Sequence, residues 1–405
     1  MSSVKENTLP EGWENKELGD ICDVIGGGTP KTKISEYWDG EIVWLSPIDL
    51  PPIGEISFVS DSRKKITDLG LNKSSAKLLP KGSVIYSTRA SIGKIAIAEI
   101  PLSTNQGFTN FICNERINNH FLCYSLKHFN KTIEGLSNST TFKEVSKTAI
   151  KSFKIPLPPL EEQKRIVAKI DTLFAKIDKA ISLTEESLVQ GKNLLPSVLK
   201  EVFEKGKADG WEEKKLGEIA FLKSGSTPRR SNKSYWEGGT IPWLKSGELN
   251  DSMEIKENSE FISEIALDET SVKLFTKDTL LIAMYGATAG KLGILSIDAT
   301  TNQAVCSIQN KKEMFNNHFM FYFLYSIREK IISDSFGGAQ PNISKTYLEN
   351  LSLYIPNLSA QEELASLCDE LSIKAKQTQS KLEEQLAYLK QLKSSILSKA
   401  FKGEL

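Results

Sequence analysis

The sequence predicts an α/β fold in which two related mixed α/β domains alternate with two long coiled-coil-like helices. Three observations lead to this prediction: a long internal repeat, apolar residues at heptad-like spacing after each copy, and short apolar runs between turn residues within each copy. The chain has 405 residues, of which 40% are hydrophobic. This is enough for two domains with ordinary cores.

The internal repeat relates residues 12–40, GWENKELGDICDVIGGGTPKTKISEYWDG, to residues 210–239, GWEEKKLGEIAFLKSGSTPRRSNKSYWEGG. Trp13 and Trp211 occupy the same position, and the Thr-Pro and Tyr-Trp pairs keep the same separation of 198 residues. Three further matches follow at nearly this separation: Gly93-Lys94 with Gly290-Lys291, 104–106 with 301–303, and 119–121 with 317–319. The chain therefore contains two copies of one structural unit.

Within each copy, short apolar runs and one longer apolar segment predict the secondary structure. SVIYS (83–87) and TLLIAM (279–284) are typical of strands between Gly, Pro and Asn turn signals. HFLCYSLKHF (120–129) and HFMFYFLYSIREKII (318–332) predict one buried helix per copy.

Each copy is followed by a segment with the pattern of a long helix. Pro158 and Pro159 precede the first, and Glu161 and Glu162 suit the positive end of its first turn. Its apolar stripe consists of Ile166, Ile170, Leu173, Ile177 and Ile181, and that of the second segment of Leu364, Leu367, Leu371, Leu382, Leu386, Leu389 and Ile396. Such spacing is typical of coiled coils, and a 30-residue helix would be about 45 Å long.

The repeat divides the chain into four predicted parts, with a helix pair inside one compact domain as the alternative. The predicted bounds are 1–155 for the first domain, 156–206 for the central helical spacer, 207–355 for the second domain and 356–405 for the distal helical spacer.

Composition limits the setting and the partners. The 51 Lys and Arg residues balance the 51 Asp and Glu residues, so nucleic-acid binding would rely on local basic patches. Five scattered cysteines without a CxxC pair indicate a reduced environment. The first ten residues, MSSVKENTLP, lack a secretory apolar core, and no apolar run is long enough for a membrane span. We therefore expect a cytoplasmic protein.

Motifs for catalysis or metal binding are missing from the sequence. GATAGKL (286–292) has three residues between its glycines instead of four, and Leu292 replaces the Ser or Thr of a phosphate-binding loop. His120 and His318 are equivalent in the repeat, which favours packing or capping over metal ligation, and His128 has no ligand cluster at suitable spacing. We expect a non-enzymatic protein without its own cofactor or metal.

The repeat, the segment LPPLEEQKRIVAKIDTLFAKID and the ending SKAFKGEL together resemble the specificity (S, HsdS) subunits of type I restriction–modification systems. The resemblance covers essentially the whole chain. It implies two target-recognition domains held apart by an antiparallel helix pair, with pseudo-twofold symmetry. Each domain would read one half of a bipartite site in double-stranded DNA.

The resemblance also implies partners. Two modification (methyltransferase) subunits would dock on the helices and carry S-adenosylmethionine, and restriction (translocase and nuclease) subunits would bring ATP and magnesium. The distal segment IPNLSAQEEL lacks the double proline of the first segment, so the two docking sites are expected to differ. A helix pair about 45 Å long would suit half-sites one DNA turn, about 34–36 Å, apart.

Differences between the copies predict where DNA is read. KTKIS (31–35) stands against RRSNKS (229–234), and STRASIGK (87–94) against AMYGATAGK (283–291), so the target should be asymmetric. Side-chain chemistry selects the candidate DNA contacts Lys31, Lys33, Arg89, Ser91, Lys94, Arg229, Arg230, Lys233, Tyr285, Thr288 and Lys291. The alternative for each is a solvated surface residue.

Other shared residues have two interpretations. The six tryptophans are expected to support the fold rather than stack on bases. Asn105-Gln106 and Asn302-Gln303 either read adenine or form a shared turn or phosphate contact, and retention in both copies favours the turn or phosphate contact. The candidate partner-binding residues are Glu161, Gln163, Lys164, Arg165, Lys169, Gln361 and Glu362, all expected to be exposed beside the helical stripe. A solvated, salt-bridged helix face is the alternative.

Three rival functions remain open at this stage. A coiled-coil scaffold would bind DNA without sequence preference, and its affinity would depend only on salt. An enzyme would need a cluster of ionisable groups that the sequence does not display. A recognition subunit that works with methyltransferase alone has the same sequence signature as one in a full restriction system.

Overall fold

The structure, a computed structural model, describes residues 9–137, 143–335 and 342–405. It divides into two compact units, Met1–Leu183 with Gln385–Leu405, and Thr184–Glu384. Each unit combines one α/β domain with parts of both long helices, whereas the predicted bounds separated domains from helices. The first eight residues of the polar N-terminal stretch lie outside the described residues.

The first domain consists of short strands and short helices. Its strands are β1 (Glu14–Glu17), β2 (Cys22–Gly26), β3 (Trp38–Leu45), β4 (Ile56–Val59), β5 (Lys65–Ile66), β6 (Val84–Ser87), β7 (Ile95–Ala98), β8 (Ser103–Thr104), β9 (Phe108–Cys113) and β10 (Lys154–Leu157). Its helices are α1 (Leu18–Ile21), α2 (Asp68–Asn72), α3 (Asn119–His128), α4 (Asn130–Glu134) and α5 (Lys147–Lys151). The first long helix, α6 (Leu160–Ala208), follows.

The second domain repeats this order of elements. Its strands are β11 (Glu212–Lys215), β12 (Ala220–Ser224), β13 (Ile241–Leu244), β14 (Ser252–Ile255), β15 (Glu260–Ile262), β16 (Leu280–Ala283), β17 (Leu292–Leu295), β18 (Thr300–Thr301), β19 (Val305–Asn310) and β20 (Ser352–Ile355). Its helices are α7 (Leu216–Ile219), α8 (Glu264–Glu269), α9 (Asn317–Ser326), α10 (Arg328–Ser333) and α11 (Lys345–Glu349). The second long helix is α12 (Leu358–Ala400).

The sheets have the same strand order in both domains. A five-stranded sheet has the order β2-β9-β6-β7-β4 in the first domain and β12-β19-β16-β17-β14 in the second. Three-stranded sheets, β5-β3-β8 and β15-β13-β18, and two-stranded pairs, β1-β10 and β11-β20, complete them. The internal repeat predicted from the sequence is thus confirmed as a repeat of topology.

Each five-stranded sheet is covered on both faces. In the first domain one face packs against α3 and the long helices, and the other packs against residues around β3. The strands β6 and β7 are buried along their whole length. This explains their continuous apolar sequences, because a strand covered on both faces loses the alternation of apolar and polar residues. The predicted strands 83–87 and 279–284 are confirmed as β6 and β16.

The segment 318–332 forms two helices, so the prediction of a single helix is wrong. The chain breaks at Ile327, where φ is −101° and ψ is 12°. The break between α9 and α10 starts a new helix at Arg328, whose Nε donates to Gly290 O at 2.8 Å. The guanidinium also binds the carboxylate of Asp251. The first domain has the same break, at Phe129.

The long helices are antiparallel within each unit and longer than expected. In the first unit, Arg165 of α6 donates to Leu405 O at 2.8 Å, and Asp178 pairs with Lys393 of α12. Residue numbers thus rise along one helix while they fall along the other. The helices have 49 and 43 residues, which corresponds to about 74 Å and 65 Å.

The predicted stripe of α6 is confirmed, because Ile166, Ile170 and Ile177 are buried. The stripe of α12 is wrong at Leu367, which is 50% exposed. Leu367 lies on the solvent-exposed side of α12.

The C-terminal ends of the long helices anchor the domains through equivalent aromatic residues. Phe401 lies 5.3 Å from Phe121 between ring centroids, and Phe203 lies 5.5 Å from Phe319. Equivalent tyrosines bind equivalent aspartates as well: Tyr124 donates to Asp171 Oδ1, and Tyr322 donates to Asp369 Oδ1 at 2.8 Å. Over the described part of the chain, no helix is long and apolar enough to cross a membrane.

Candidate nucleic-acid interface

In the first domain three loops meet at one edge of the sheets, and we call residues 27–34, 87–91 and 104–107 the first loop edge. Gly28 N–H donates to Thr104 O at 2.8 Å, and Thr88 N–H donates to Gly107 O at 2.8 Å. The loops contain most of the predicted DNA contacts of this domain. Side chains that are far apart in the sequence therefore share one surface.

Gly27 and Gly28 of the segment IGGGTP (25–30) lie where the backbone passes close to neighbouring segments. A Cβ atom on Gly28 would lie 2.3 Å from Ala76 N, and one on Gly27 would lie 1.8 Å from Asn105 O. No side chain can be accommodated at such distances. Both positions therefore require glycine.

The second domain forms an equivalent edge from residues 225–234, 284–291 and 301–304, the second loop edge. Ser226 N–H donates to Thr301 O at 2.9 Å, and Met284 N–H donates to Ala304 O at 2.7 Å. Thr227 binds Gln303 as Thr29 binds Gln106 in the first domain. The two frameworks thus position their loops through the same bonds.

Paired tryptophans support both loop edges. Trp38 and Trp44 have ring centroids 5.1 Å apart at an angle of 90°, and Trp236 and Trp243 have centroids 5.1 Å apart at 89°. Trp44 Nε1 donates to Gly28 O at 2.9 Å. The prediction that these tryptophans support the fold is confirmed.

On the first loop edge Lys31, Lys33 and Arg89 are exposed. Arg89 pairs with Glu144 at 2.7 Å between NH2 and Oε1, on a surface where about half of each side chain is exposed. A surface pair of this kind contributes at most about 1 kcal/mol. These cations are therefore available to a ligand, although their role as DNA contacts stays a prediction.

Ser91, at the end of loop 87–91 of this edge, and Lys94, just beyond it, are half-buried. Ser91 O accepts from Ser87 Oγ at 2.5 Å, and Lys94 Nζ donates to Pro47 O at 2.7 Å and Leu50 O at 3.0 Å. The Lys94 ammonium therefore holds the loop around residues 47–50. Two of its three donors are satisfied by the protein, which favours a structural role over direct DNA contact.

On the second loop edge the equivalent lysine has a similar position. Lys291 Nζ lies 3.3 Å from Asn250 Oδ1. Thr288 Oγ1 donates to Tyr285 O at 3.4 Å, and the Tyr285 side chain is 39% exposed. GATAGKL thus forms a short 3₁₀ turn between β16 and β17 rather than a phosphate-binding loop.

Arg229, Arg230 and Lys233 are all exposed on the second loop edge. Lys233 pairs with Glu237 at 3.4 Å on an open surface. Arg230 is different, because its guanidinium stacks on Trp236 with 3.8 Å between Cζ and the ring centroid. Two tryptophan rings and the carboxylate of Glu260 hold Arg230 in place.

The turn interpretation of the shared Asn-Gln pairs is confirmed for the asparagines. Asn105 Oδ1 accepts from Gly107 N–H at 2.9 Å, and Asn302 Oδ1 accepts from Ala304 N–H at 3.1 Å. Each asparagine closes a turn through its own side chain, as is common at such positions.

The histidines have packing partners. His318 Nδ1 lies 2.8 Å from Asp369 Oδ2, and His120 lies 5.5 Å from Phe58 between ring centroids. No group of three or more His, Cys, Asp or Glu in residues 9–137, 143–335 and 342–405 is arranged to hold a metal ion.

Gln163 and Gln361 are buried, so the expectation that they are exposed to a partner is wrong. Gln163 Oε1 accepts from Asn118 N–H at 2.8 Å, and its Nε2 donates to Arg116 O and Pro158 O at 2.8 and 2.9 Å. Its amide thus joins α6 to the loop before α3. Both polar atoms of the Gln163 amide are therefore engaged in hydrogen bonds within the protein, as is usual for buried amides.

The other candidate partner residues lie on open surface. Glu161, Lys164, Arg165, Lys169 and Glu362 are exposed. Lys164 pairs with Glu161 and Arg165 with Glu162, each at 2.7 Å. These pairs agree with a salt-bridged helix face, and they leave the charges accessible to a partner.

Sequence reasoning missed Glu260 and Lys245, which pair with each other at 2.7 Å beside Arg230. It also missed Lys64, whose Nζ lies 5.5 Å from the ring centroid of Trp38. The strand partners of these residues lie far away in the sequence. In the sequence these residues could be suspected only from the tryptophan pairs that both copies of the repeat contain, Trp38 with Trp44 and Trp236 with Trp243, because a cation can stack on such rings.

Comparison with known proteins now identifies the family. The family model for the type I restriction modification DNA specificity domain matches residues 10–185 and 208–388. The chain belongs to this family. The two matched segments correspond to the two copies of the repeat.

Several specificity subunits are similar over nearly their whole length. The MjaIX specificity subunit of Methanocaldococcus jannaschii is 30% identical, over 98% of this chain and 94% of that subunit. The StySPI specificity subunit of Salmonella potsdam is 24% identical, over 99% of this chain and 91% of that subunit.

Solved structures of the family share the fold. The HsdS subunit from Thermoanaerobacter tengcongensis has a TM-score of 0.69 at 23% identity, covering 99% of each chain. A chain from a study of complex assembly and conformational transition in a type I R-M system has a TM-score of 0.78 at 23% identity, covering 98% of this chain and 100% of that one. The predicted fold class of this specificity-domain protein is thereby confirmed.

Proposed function

We propose that this chain is the DNA-recognition (HsdS) subunit of a type I restriction–modification complex, in which each loop edge reads one half of a bipartite double-stranded DNA site. One observation carries the proposal: two identical frameworks present different exposed side chains on equivalent loops. Identical bonds at Thr104 and Thr301 hold these loops, so their differences are not needed for folding.

Different side chains on equivalent edges should read different bases. The first loop edge offers Lys31, Lys33 and Arg89, while the second offers Arg229, Arg230 and Lys233. Base edges are read by hydrogen-bond donors and acceptors of this type, whereas phosphate contacts carry no sequence information. The target is therefore an asymmetric site with two distinct halves.

The same proposal assigns catalysis and cofactors to partner subunits. Two modification subunits would dock near the N-terminal turns of α6 and α12 and would bind S-adenosylmethionine. Restriction subunits would join through them and would use ATP and magnesium. The chain itself would position DNA and would make or break no covalent bond.

The two docking surfaces are unequal in charge. The start of α6 exposes Lys164, Arg165 and Lys169 beside a single exposed acid, Glu161, whereas the equivalent turns of α12 expose Glu362, Glu363 and Leu367. Identical modification subunits should therefore bind with two different affinities. Titration of the modification subunit followed by native mass spectrometry should show a one-to-one complex before the two-to-one complex, and simultaneous filling would contradict this.

The test of recognition is a methylation map. The chain and its cognate modification subunit are expressed together in an unmethylated host, and methylated adenines are located across the DNA. We expect one asymmetric motif with two short halves and a fixed gap, which disappears without this chain. Exchange of residues 1–155 for those of a relative should change one half only.

The alternative is a helical scaffold that binds DNA without sequence preference. It predicts an affinity that falls with salt but is equal for all duplexes. Methylation that is absent or unaffected by this chain would support that alternative.

A further inference from the structure

Arg230 is the most strongly positioned cation on either loop edge. Its Cζ lies 3.8 Å from the ring centroid of Trp236 and 4.8 Å from that of Trp243. The two rings meet edge to face and are fixed by the domain core, since Trp243 is 2% exposed. Cation–π contact and a rigid support together restrict the rotamers of the guanidinium.

Glu260 of β15 holds the guanidinium from a second direction. Its carboxylate binds Arg230 NH1 and also accepts from Lys245 Nζ at 2.7 Å. The hydrogen bond from Arg230, followed by that from Lys245, lowers the pKa of Glu260, so the carboxylate stays ionised near neutral pH. A charge-assisted bond of this kind adds geometric restriction to the stack.

The opposite edge of the guanidinium faces no partner within the described chain. Glu260 engages NH1, which leaves the pair of donors on Nε and NH2. The side chain is 53% exposed. A planar edge with two parallel donors is therefore presented to solvent in a fixed orientation.

Among residues 9–137 and 143–155 of the first domain, no guanidinium stacks on the equivalent tryptophans. Thr32 occupies the position of Arg230 in the repeat. Lys64 approaches the equivalent ring of Trp38, but with 5.5 Å between Nζ and the centroid and with an ammonium in place of a planar guanidinium. The stacked arginine is thus specific to the second domain, and the fold that the two domains share does not require it.

We propose that Arg230 reads a guanine in the half-site of the second domain, and that Glu260, Trp236 and Trp243 are positioning residues for its guanidinium. In the major groove only guanine offers two acceptors, O6 and N7, on one base, and they match two parallel donors of arginine. A fixed fork loses little side-chain entropy on binding, and it rejects bases that present a donor there. This inference rests on the proposed recognition function.

The experiment uses the complex of the full chain with its modification subunit. Methylation rates are measured on duplexes that carry the mapped motif and on duplexes in which each base pair is replaced in turn. For the native complex we expect a guanine in the half-site of the second domain whose replacement lowers the rate by roughly 5- to 150-fold. With Arg230→Ala, this preference should fall to nearly none at that position, and the other half-site should keep its full discrimination.

Two variants separate readout from charge. Arg230→Lys should lose the guanine preference as Arg230→Ala does, because a single ammonium cannot form the two-donor contact. Lys256→Ala removes an equal charge from an exposed residue outside the second loop edge and should leave all base preferences intact. Glu260→Gln should weaken the same guanine preference several-fold with an unchanged melting temperature, an effect that a merely structural residue would not produce.

Each other result overturns the inference. Arg230→Ala could instead slow methylation of all duplexes equally and reduce the slope of log affinity against log salt concentration by about one. Arg230 would then contact a phosphate of the DNA backbone. If Arg230→Ala leaves rates and preferences unchanged, the network only stabilises the loop. In both cases the native motif persists and the proposed function stands. A native complex without any motif would instead refute the proposed function, and this inference with it.

Discussion

The two units hold the same antiparallel helix pair with unequal packing. In the first unit Phe174 and Ile177 of α6 are buried against the end of α12. The equivalent positions of α12 in the second unit are Ser372 and Ala375. There the helices leave an apolar groove of about 700 Å³, lined by residues such as Leu371.

This difference shows which parts of the repeat are constrained. Both units keep the aromatic anchor at the helix end and the buried glutamine at the helix start. The side chains packed between the two ends of the helix pair differ between the units. For example, Gly191 occupies the position that Leu389 has in the first unit. The connections between domain and helix are therefore shared, while the tightness of the helix pair is not.

The largest expected effect comes from replacing Phe174 of the first unit by serine, the residue at the equivalent position of the second unit. Phe174→Ser removes a ring that lies 5.7 Å from Tyr124 and close to Lys127 and Lys393. Truncation of a buried phenylalanine costs about 3–5 kcal/mol, so the first unit should unfold that much more easily. Hydrogen exchange of residues 166–181 measures this.

Ser372→Ala is the matched control, because it alters the equivalent position without removing a ring. It should leave exchange of residues 364–379 nearly unchanged. Equal acceleration in the two variants would mean that the packing contrast has no energetic consequence.

A second contrast concerns the buried glutamines. Gln163→Ala leaves Asn118 N–H, Arg116 O and Pro158 O without their partners, at a cost of about 2–3 kcal/mol to the first unit. For Gln361 the described bonds are those to Asn316 N–H and Pro356 O, both at 2.9 Å. Gln361→Ala should therefore cost less.

The measurement is the denaturation midpoint of each unit, followed by exchange at residues 116–119 and 314–317. Gln163→Glu is a sharper variant, since it retains the acceptor but replaces the Nε2 donor. A larger cost for Gln361→Ala than for Gln163→Ala would contradict the count of bonds.

Local patterns account for what the sequence predicted well. Continuous apolar runs predicted β6 and β16, and the spacing of Ile166 and Ile170 predicted the buried face of α6, because strand and helix periods are properties of neighbouring residues. The repeat extended each prediction to the other domain. A periodic pattern needs no knowledge of the rest of the chain.

Contacts between distant segments explain the failures. Gln163 was expected to be exposed because it is polar, but two of its partners, Asn118 N–H and Arg116 O, lie 45 and 47 residues earlier. The Arg230 network joins residues 30 positions apart through β15. The break at Ile327 likewise depends on Gly290 and Asp251, which no local pattern reveals.

Filling the groove in the second unit tests the contrast in the opposite direction. Ala375→Ile restores the residue found at Ile177 and adds three carbons to the groove lining. We expect a gain of about 1 kcal/mol, since each buried methylene contributes about 0.8 kcal/mol and imperfect fit offsets part of the total. Exchange of residues 187–198 and 371–382 should slow, whereas Ile177→Ala should speed exchange in the first unit.

The smallest expected effect is a difference in acid sensitivity between the units. His128 stacks on Phe401 with 5.1 Å between centroids, and Ser326 occupies its position in the second unit. Burial, followed by the charge of Lys402, lowers the pKa of His128 in the folded chain. Near pH 6 the unfolded chain therefore binds more protons at this residue than the folded chain does, because its unfolded pKa is about 6.5. Stability then rises with pH across this window, so the first unit should weaken between about pH 7 and pH 5.5.

His128→Asn removes the titrating ring and should abolish that part of the pH dependence, while the second unit keeps its own profile. Denaturation midpoints of the two units at the two pH values, in the native chain and in His128→Asn, provide the comparison. An unchanged pH slope in the variant would show that His128 binds protons equally in the folded and the unfolded chain over this range, or that carboxylates dominate. Because Ser326 cannot titrate, equal slopes in the two units of the native chain would contradict this prediction.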